Sequence, residues 1–312
     1  MQEYYNGYVK GTKCVYLTLA GSISYGTNNE TSDVDIRGCY IPDPTSYWKI
    51  QDSFKEEIED TTNDVVVYTL KKYLQLLMAC NPNVIETLGT KPEHVLYIND
   101  VGLTLRNNSK WFLSKRAYIT FAQYANAQLR RLENALARDN ATEIEKERHI
   151  MDSIKAMLLT TTQQYGITNN DVTFDLQDEI MITANIHHLP LRKFLQINSD
   201  MKNIVSCYNK LNHRNRKKDF NHLCKHAMHL IRLYFMGIDI LKHQQIITYR
   251  SDEQQLLMSI RNGDMPFKEV FALQKELQRK LDKVYEESKL PDVPDVDKIN
   301  DFLIRVYRET IV

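Results

Sequence analysis

Two carboxylates one residue apart, Asp33 and Asp35, lie in the segment Ser32-Asp33-Val34-Asp35-Ile36-Arg37-Gly38, ten residues beyond a Gly21-Ser22 pair. Alternate side chains of an extended strand share a face, so both carboxylates are expected on one sheet face, with Val34 and Ile36 turned into a core. Converging carboxylates suit hard, oxygen-preferring cations such as Mg²⁺. Phosphoryl and nucleotidyl transfer use such ions, in pairs about 4 Å apart, to neutralise a triphosphate and acidify an attacking hydroxyl. A third acid on a neighbouring strand would complete the pair. Asp64, at the head of a β-branched run, is the candidate, with Glu59 and Asp60 as alternatives because the sequence leaves the register open. Gly21 lets a backbone approach phosphates with no Cβ in the way, and Ser22, at an expected helix start, can bond the terminal phosphates.

An isolated pair of acids is common in turns. A strand, a Gly-Ser turn, a ten-residue spacer and then Asp-x-Asp flanked by apolar residues is far more specific. The elements that must position these residues follow from periodicity. Residues 14–20 alternate, with Val15, Leu17 and Leu19 on one face, and read as a strand ending at Gly21. Residues 34–41 read as a second strand running into Pro42-Asp43-Pro44, and 64–68 as a third, rich in valine. Leu70, Tyr73, Leu74, Leu77 and Met78 recur at helical spacing, and Asn81-Pro82 breaks that helix.

Beyond about Lys110 the pattern is helical. It comprises a long amphipathic run over 114–138, a helix after a Thr142-x-x-Glu145 capping box, and helices near 201–211, 221–236 and 252–262. A last helix over 297–307 follows the break at Pro291-Asp292-Val293-Pro294. A hairpin is expected near 172–186. Strands first and helices later point to an α+β protein, with a catalytic domain over 1–110 and a helical domain over 111–312 that closes the nucleotide cleft.

Lys+Arg and Asp+Glu both total 40, so any electrostatic specialisation is local. One stretch supplies it: Lys210, Arg214, Arg216, Lys217, Lys218, Lys225 and Arg232 against the single acid Asp219. At about 100° per residue, Lys225, His229 and Arg232 share a helix face, with His222 and His226 beside them. Such a stripe suits a triphosphate or an RNA backbone. A zinc site from His222, His226 and His229 is the weaker alternative, since no acid or cysteine on that face completes it. Tyr124 and Gln128, one turn apart, can line a cleft or pack in a core. Glu86 reads as structural rather than catalytic, and Ser114-Lys115 as a cap followed by a cation. Five scattered cysteines without a Cys-x-x-Cys pair suit a reducing compartment, and no apolar stretch of membrane-spanning length appears. A cytoplasmic location, with no membrane partner, is the expectation.

The combination of GSISYGTNNETSDVDIRGCY, DVVVYTLKKYLQLLMACNPNVIETL, LSKRAYITFAQYANAQL, KHAMHLIRLYFMGIDIL and LLMSIRNG resembles the DNA polymerase β-like nucleotidyltransferases, in particular the RNA-ligase-associated branch of the RNA repair pathway in bacteria and phages. The resemblance implies a small mixed sheet with flanking helices plus a mainly helical C-terminal domain. It also implies metal binding by Asp33 and Asp35, with Asp64 as the third acid, and nucleotide binding by Gly21 and Ser22. Tyr25 and Arg37, inside the two motif segments, and Lys225, His229 and Arg232 complete the expected nucleotide-binding set. The implied cofactors are two Mg²⁺ ions, with Mn²⁺ as the alternative. NTP is the implied substrate, an RNA 3′ end the acceptor and an RNA ligase the pathway partner, in a bacterial or phage-infected cell. AMP transfer to a protein side chain and an inert nucleotide-binding protein are the rival readings.

Overall fold

In the computed structural model the strand β1 (Lys13–Leu19) pairs antiparallel with β2 (Ile36–Ile41) on one side and with β5 (Val95–Ile98) on the other. β2 pairs parallel with β4 (Val65–Thr69), whose other edge carries β3 (Glu57–Asp60) antiparallel. The resulting order is β3-β4-β2-β1-β5, a mixed five-stranded sheet. The structure describes residues 13–30, 32–43, 55–60, 64–138, 151–152, 154, 172–176, 180–185, 189–213 and 220–311. The expected helix after Thr142 and the cations Arg214, Arg216, Lys217 and Lys218 lie outside the described residues, as does the side chain of Lys210.

Alternation explains the sheet's packing. Val65 and Val67 of β4, Ile36 and Tyr40 of β2 and Leu17 of β1 form one apolar cluster. Residues of opposite parity, Arg37 and Val66 among them, are paired neighbours on the other face. Gly38 stands where a Cβ would collide with the Tyr16 carbonyl oxygen, so the sequence places a residue without one at this crossing of β1 and β2.

Helix α1 (Gly21–Tyr25) follows β1 at once and stops at Gly26, whose φ of 74° an L side chain rarely adopts. α2 (Leu70–Met78) follows β4, capped by Thr69, whose hydroxyl accepts from Lys72 N–H at 3.2 Å. Asn81 caps α3 (Pro82–Ile85), with Pro82 at the position where its missing N–H costs nothing. α4 (Asp100–Asn107) is capped by Asn99, and α5 (Arg116–Arg138) is the expected long amphipathic helix. Next come the expected hairpin, β6 (Val172–Leu176) paired with β7 (Ile180–Ala184), and α6 (Leu191–His213). α7 (Phe220–His243), α8 (Gln254–Asn262), α9 (Phe267–Glu287) and α10 (Val296–Ile311) complete the described elements. The fold is α+β, as expected.

The chain divides into two compact units, residues 1–130 with 220–312, and residues 131–219. The C-terminal helices α7 to α10 fall in the same unit as the sheet. A buried ion pair shows why: Arg232 of α7 donates to Glu86 Oε2 at 2.9 Å, and both residues are 3% exposed. Removing one member of such a pair strands a charge in the core. Arg232→Met is therefore expected to cost about 3–5 kcal/mol of unfolding free energy in urea titrations, with Glu86→Leu in the same chain recovering part of the loss.

Candidate active site

The topology brings the two sequence motifs together. Because β1 and β2 are antiparallel, the end of β1 lies beside the start of β2, with Leu19 opposite Ile36 and Ala20 N–H bonded to the Asp35 carbonyl at 2.8 Å. Because β2 and β4 are parallel, their starts are also neighbours. Ile36 N–H donates to the Asp64 carbonyl at 3.0 Å. The Gly21-Ser22 turn, Asp35 and Asp64 thus meet at one end of the sheet.

The strand beside the acids begins two residues later than expected. β2 begins at Ile36, so Asp33 and Asp35 lie in the segment leading into it rather than within a strand. Val34 is 51% exposed and does not enter the core, whereas Ile36 does. The physical reason is that β1 turns into α1 after Ala20, leaving residues 33 and 34 without the ladder that would hold strand geometry.

Gly21 is required twice over. Its φ is +59°, and a Cβ there would collide with the Asp35 Oδ2 atom. The Asp35 carboxylate therefore lies directly against the backbone of the Gly-Ser turn. Asp35 pairs with Arg37 at 3.5 Å, and the same guanidinium donates to the Asp64 and Ile36 carbonyls at 3.0 and 3.1 Å. Burial raises the Asp35 pKa, Arg37 opposes that rise, and the neighbouring charges of Asp64, Asp33 and Glu86 push it further up. Among the described residues no basic side chain pairs with the exposed carboxylates of Asp33 or Asp64. Asp64 also holds φ at 48°, a left-handed backbone that aspartate tolerates better than most residues.

Asp35, with the charges of Asp33 and Asp64 beside it and a single arginine among them, suits a bound cation. These acids are not a preformed cage: among the described residues no three His, Cys, Asp or Glu side chains gather closely enough to hold an ion. The same observation weighs against zinc at His222, His226 and His229. Of the alternative third acids, Glu59 and Asp60 belong to the edge strand β3, one strand further from β2 than Asp64.

Tyr25 and Arg232 lie beneath the turn. The Tyr25 hydroxyl donates to Glu86 Oε1 at 2.6 Å, and the Arg232 guanidinium stacks 3.5 Å from the centre of the Tyr25 ring. Arg232 is thus enclosed and charge-compensated instead of facing outward with Lys225. Lys225 is exposed, and His229 is half-buried with its ring edge-on to Tyr25. His229 is pushed down to about 3, first by desolvation and then by the charges of Arg232, His226, Arg261 and Lys225. His226 Nδ1 lies 2.9 Å from Gln128 Oε1, and Asn81 donates to the Tyr124 hydroxyl at 3.3 Å, so both α5 residues are tied into the framework.

Tyr25, Gly26, Thr27 and Ser32 are held from the far end of the chain. Thr248 donates to the Glu86 carbonyl at 2.5 Å, and Gln254 to the Gly26 carbonyl at 2.7 Å. Arg250 N–H donates to the Tyr25 carbonyl, and Arg261 reaches Thr27 and Ser32. Tyr249 occupies the space a Cβ on Gly26 would need. Sequence reasoning gave Arg261 no role, although it lies in the LLMSIRNG segment; the only local signal was that resemblance.

Residues 8–305 match the family profile described as RlaP, the RNA repair pathway DNA polymerase beta family. The chain belongs to this family. The description pairs an RNA repair pathway with DNA polymerase beta, and the match covers nearly the whole chain. A protein of Bacillus subtilis strain 168 described as uncharacterized protein YcgL is 34% identical over 83 residues, 26% of this chain and 32% of that protein. The match thus spans about a third of that relative's length.

Two outcomes follow from the electrostatics. The folded Asp35 carboxyl holds its proton more tightly than the unfolded one, so it detracts from stability once the pH rises above the ordinary value of 3.8. Asp35→Asn is expected to raise the Tm of the metal-free protein at pH 7. For His229 the unfolded imidazole protonates near 6.5 and the folded one only near 3, so its contribution is intact above 6.5 and drains away as pH falls between those values. The unaltered chain is expected to lose Tm between pH 7 and pH 5, and His229→Gln should flatten that fall in thermal melts.

Proposed function

We propose that the protein transfers a nucleoside monophosphate from an NTP to a hydroxyl at an RNA 3′ end. The single observation that carries this reading is the Asp35 carboxylate lying against Gly21, with Asp33 and Asp64 close enough to raise its proton affinity. The hydroxyl gives its proton to a neighbouring carboxylate such as Asp64 or to water, its oxygen bonds to the α-phosphorus, the bond from that phosphorus to the oxygen bridging to the β-phosphate breaks, and pyrophosphate leaves with that bond's electron pair.

Asp33 and Asp35, with Asp64 as third acid, are the residues that would hold Mg²⁺ or Mn²⁺. Bound divalent ions supply neutralisation of the triphosphate and acidify the attacking hydroxyl. The chain's own residues do the positioning. Gly21 leaves the turn backbone open to the phosphates, and Ser22, half-buried in the first turn of α1, presents a hydroxyl beside it. Arg37 steadies Asp35 and the Asp64 carbonyl. Lys225 adds positive charge from α7, and His229 remains neutral at physiological pH, able to donate or accept one hydrogen bond without adding charge.

An RNA acceptor agrees with the family's description, and a partner RNA ligase would join ends after this step. Incubating the protein with radiolabelled NTPs, Mg²⁺ and RNA should put label into nuclease-sensitive material. Asp33→Ala should lower incorporation on the order of a hundredfold, about 2.7 kcal/mol of transition-state stabilisation, with an unchanged circular dichroism spectrum. Undiminished incorporation in that variant removes the assignment of the acids, and label in protease-sensitive material redirects the acceptor to a protein side chain.

A further inference from the structure

Two arginines approach the half-buried His229, and they are not equivalent. Arg232 is compensated by Glu86 at 2.9 Å and covered by the Tyr25 ring. Arg261, on α8 and 6% exposed, has no carboxylate partner among the described residues. Its Nη1 donates to the Thr27 carbonyl at 2.5 Å and its Nη2 to Ser32 Oγ at 3.0 Å. Both acceptors are neutral, so neither compensates the guanidinium's charge. Both also lie in the connection between Gly21-Ser22 and Asp33, with Ser32 next to the first acid.

A buried cation is normally matched by an acid, because removing a charge from water is costly and a neutral acceptor repays only part of the cost. Here desolvation lowers the Arg261 proton affinity with no opposing anion, and the arginine's field reaches His229 beside Lys225. Of the five N–H donors of a guanidinium, the two bonds described occupy two. A planar cation held by neutral groups at the margin of an acidic site lacks an anion, and a triphosphate is an anion of suitable class.

We infer that Arg261, rather than Arg232, is the arginine that receives the polyphosphate of the bound nucleotide, acting with Lys225, while Arg232 is retained by Glu86 as part of the framework. The assignment rests on the nucleotidyltransferase reading for its ligand. Its test does not depend on turnover.

The probe is inorganic tripolyphosphate, titrated calorimetrically into the full chain at several salt concentrations, with a short oligoribonucleotide as a parallel arm. Arg261→Met should weaken tripolyphosphate binding roughly ten- to a hundredfold, as expected for losing charge-assisted hydrogen bonds. It should also reduce the salt dependence of binding, a change that loss of a neutral loop clamp would not produce. Ser32→Ala, which removes one loop anchor and leaves the charge, should bind within about twofold of the parent, well under the tenfold that 1.4 kcal/mol represents. Lys283→Met, the same change of charge on an exposed lysine of α9, should leave binding unaltered.

Should the methionine variant not fold, Arg261→Lys decides, because it keeps the charge but loses the planar fork; a several-fold weakening is expected. Parent-like affinity and salt dependence in the altered Arg261 chain overturn the assignment, as does a loss confined to the oligoribonucleotide arm. A chain that binds tripolyphosphate through Arg261 yet incorporates no nucleotide fails the proposed reaction and leaves this assignment standing.

Discussion

A carboxylate resting on a glycine organises this end of the molecule. Asp35 can lie against the Gly-Ser turn only because Gly21 has no Cβ, and Gly21 can start α1 at φ +59° for the same reason. The contact is fixed from two directions. The antiparallel ladder of β1 and β2 brings Ala20 and Asp35 within hydrogen-bonding distance, and the parallel pairing of β2 with β4 sets Asp64 on the other flank. Shifting β2 by one residue would exchange its faces, turning Ile36 out of the core and the acid into it. The apolar cluster around Leu17, Ile36 and Val65 therefore secures the position of the acids as surely as their own contacts do.

Beneath this contact the polar core serves geometry more than stability. An ion pair such as Glu86 with Arg232 often contributes little net stabilisation compared with apolar residues of the same shape. Its effect is to specify an arrangement. Glu86 takes the Tyr25 hydroxyl with one oxygen and Arg232 with the other, so α1 and α7 are set relative to the same carboxylate. Thr248 bonds the backbone of Glu86, and the residues just after it bond the backbone of Tyr25 and Gly26. The motif turn is held between the first and last parts of the chain, which is why both parts fall within one compact unit.

What was legible in the sequence is what has a local period or a fixed short spacing. The Gly-Ser turn, the acids, the strands β1, β2 and β4, and α2 and α5 follow from alternation, helical spacing and caps. The first residue of β2 was misjudged because a strand's limit depends on where its neighbour's ladder ends, and β1 leaves the sheet at Ala20. Val34 followed the same error. The edge strands β3 and β5, each four residues long, are too short for alternation to separate them from loop. Arg232 shared a helical face with Lys225 and His229 by arithmetic, but its destination was decided by Glu86, 146 residues away. Arg261 meets Thr27 across 234 residues, a separation no periodicity can report.

The neutral composition of the chain conceals a sorted arrangement of charge. Arg232 and Glu86 cancel in the core, and Arg250 is met by Asp239 at 2.5 Å with Glu253 further off. After those pairs, the groups left without an opposite charge around the motif among the described residues are of both signs: Asp33 and Asp64 near the sheet end, Lys225 and Arg261 near His229. Such groups would shorten their distance and pair if the backbone let them. They do not, because the acids are fixed by the β2–β4 register and the bases by α7 and α8. The separation is stable in the fold yet electrostatically unsatisfied, and in the proposed reaction a polyphosphate with its cations satisfies both sides at once. Under the proposed reaction those charges would favour a ligand that carries negative charge and metal together over either alone, since an anion without cations would meet the acids and be repelled.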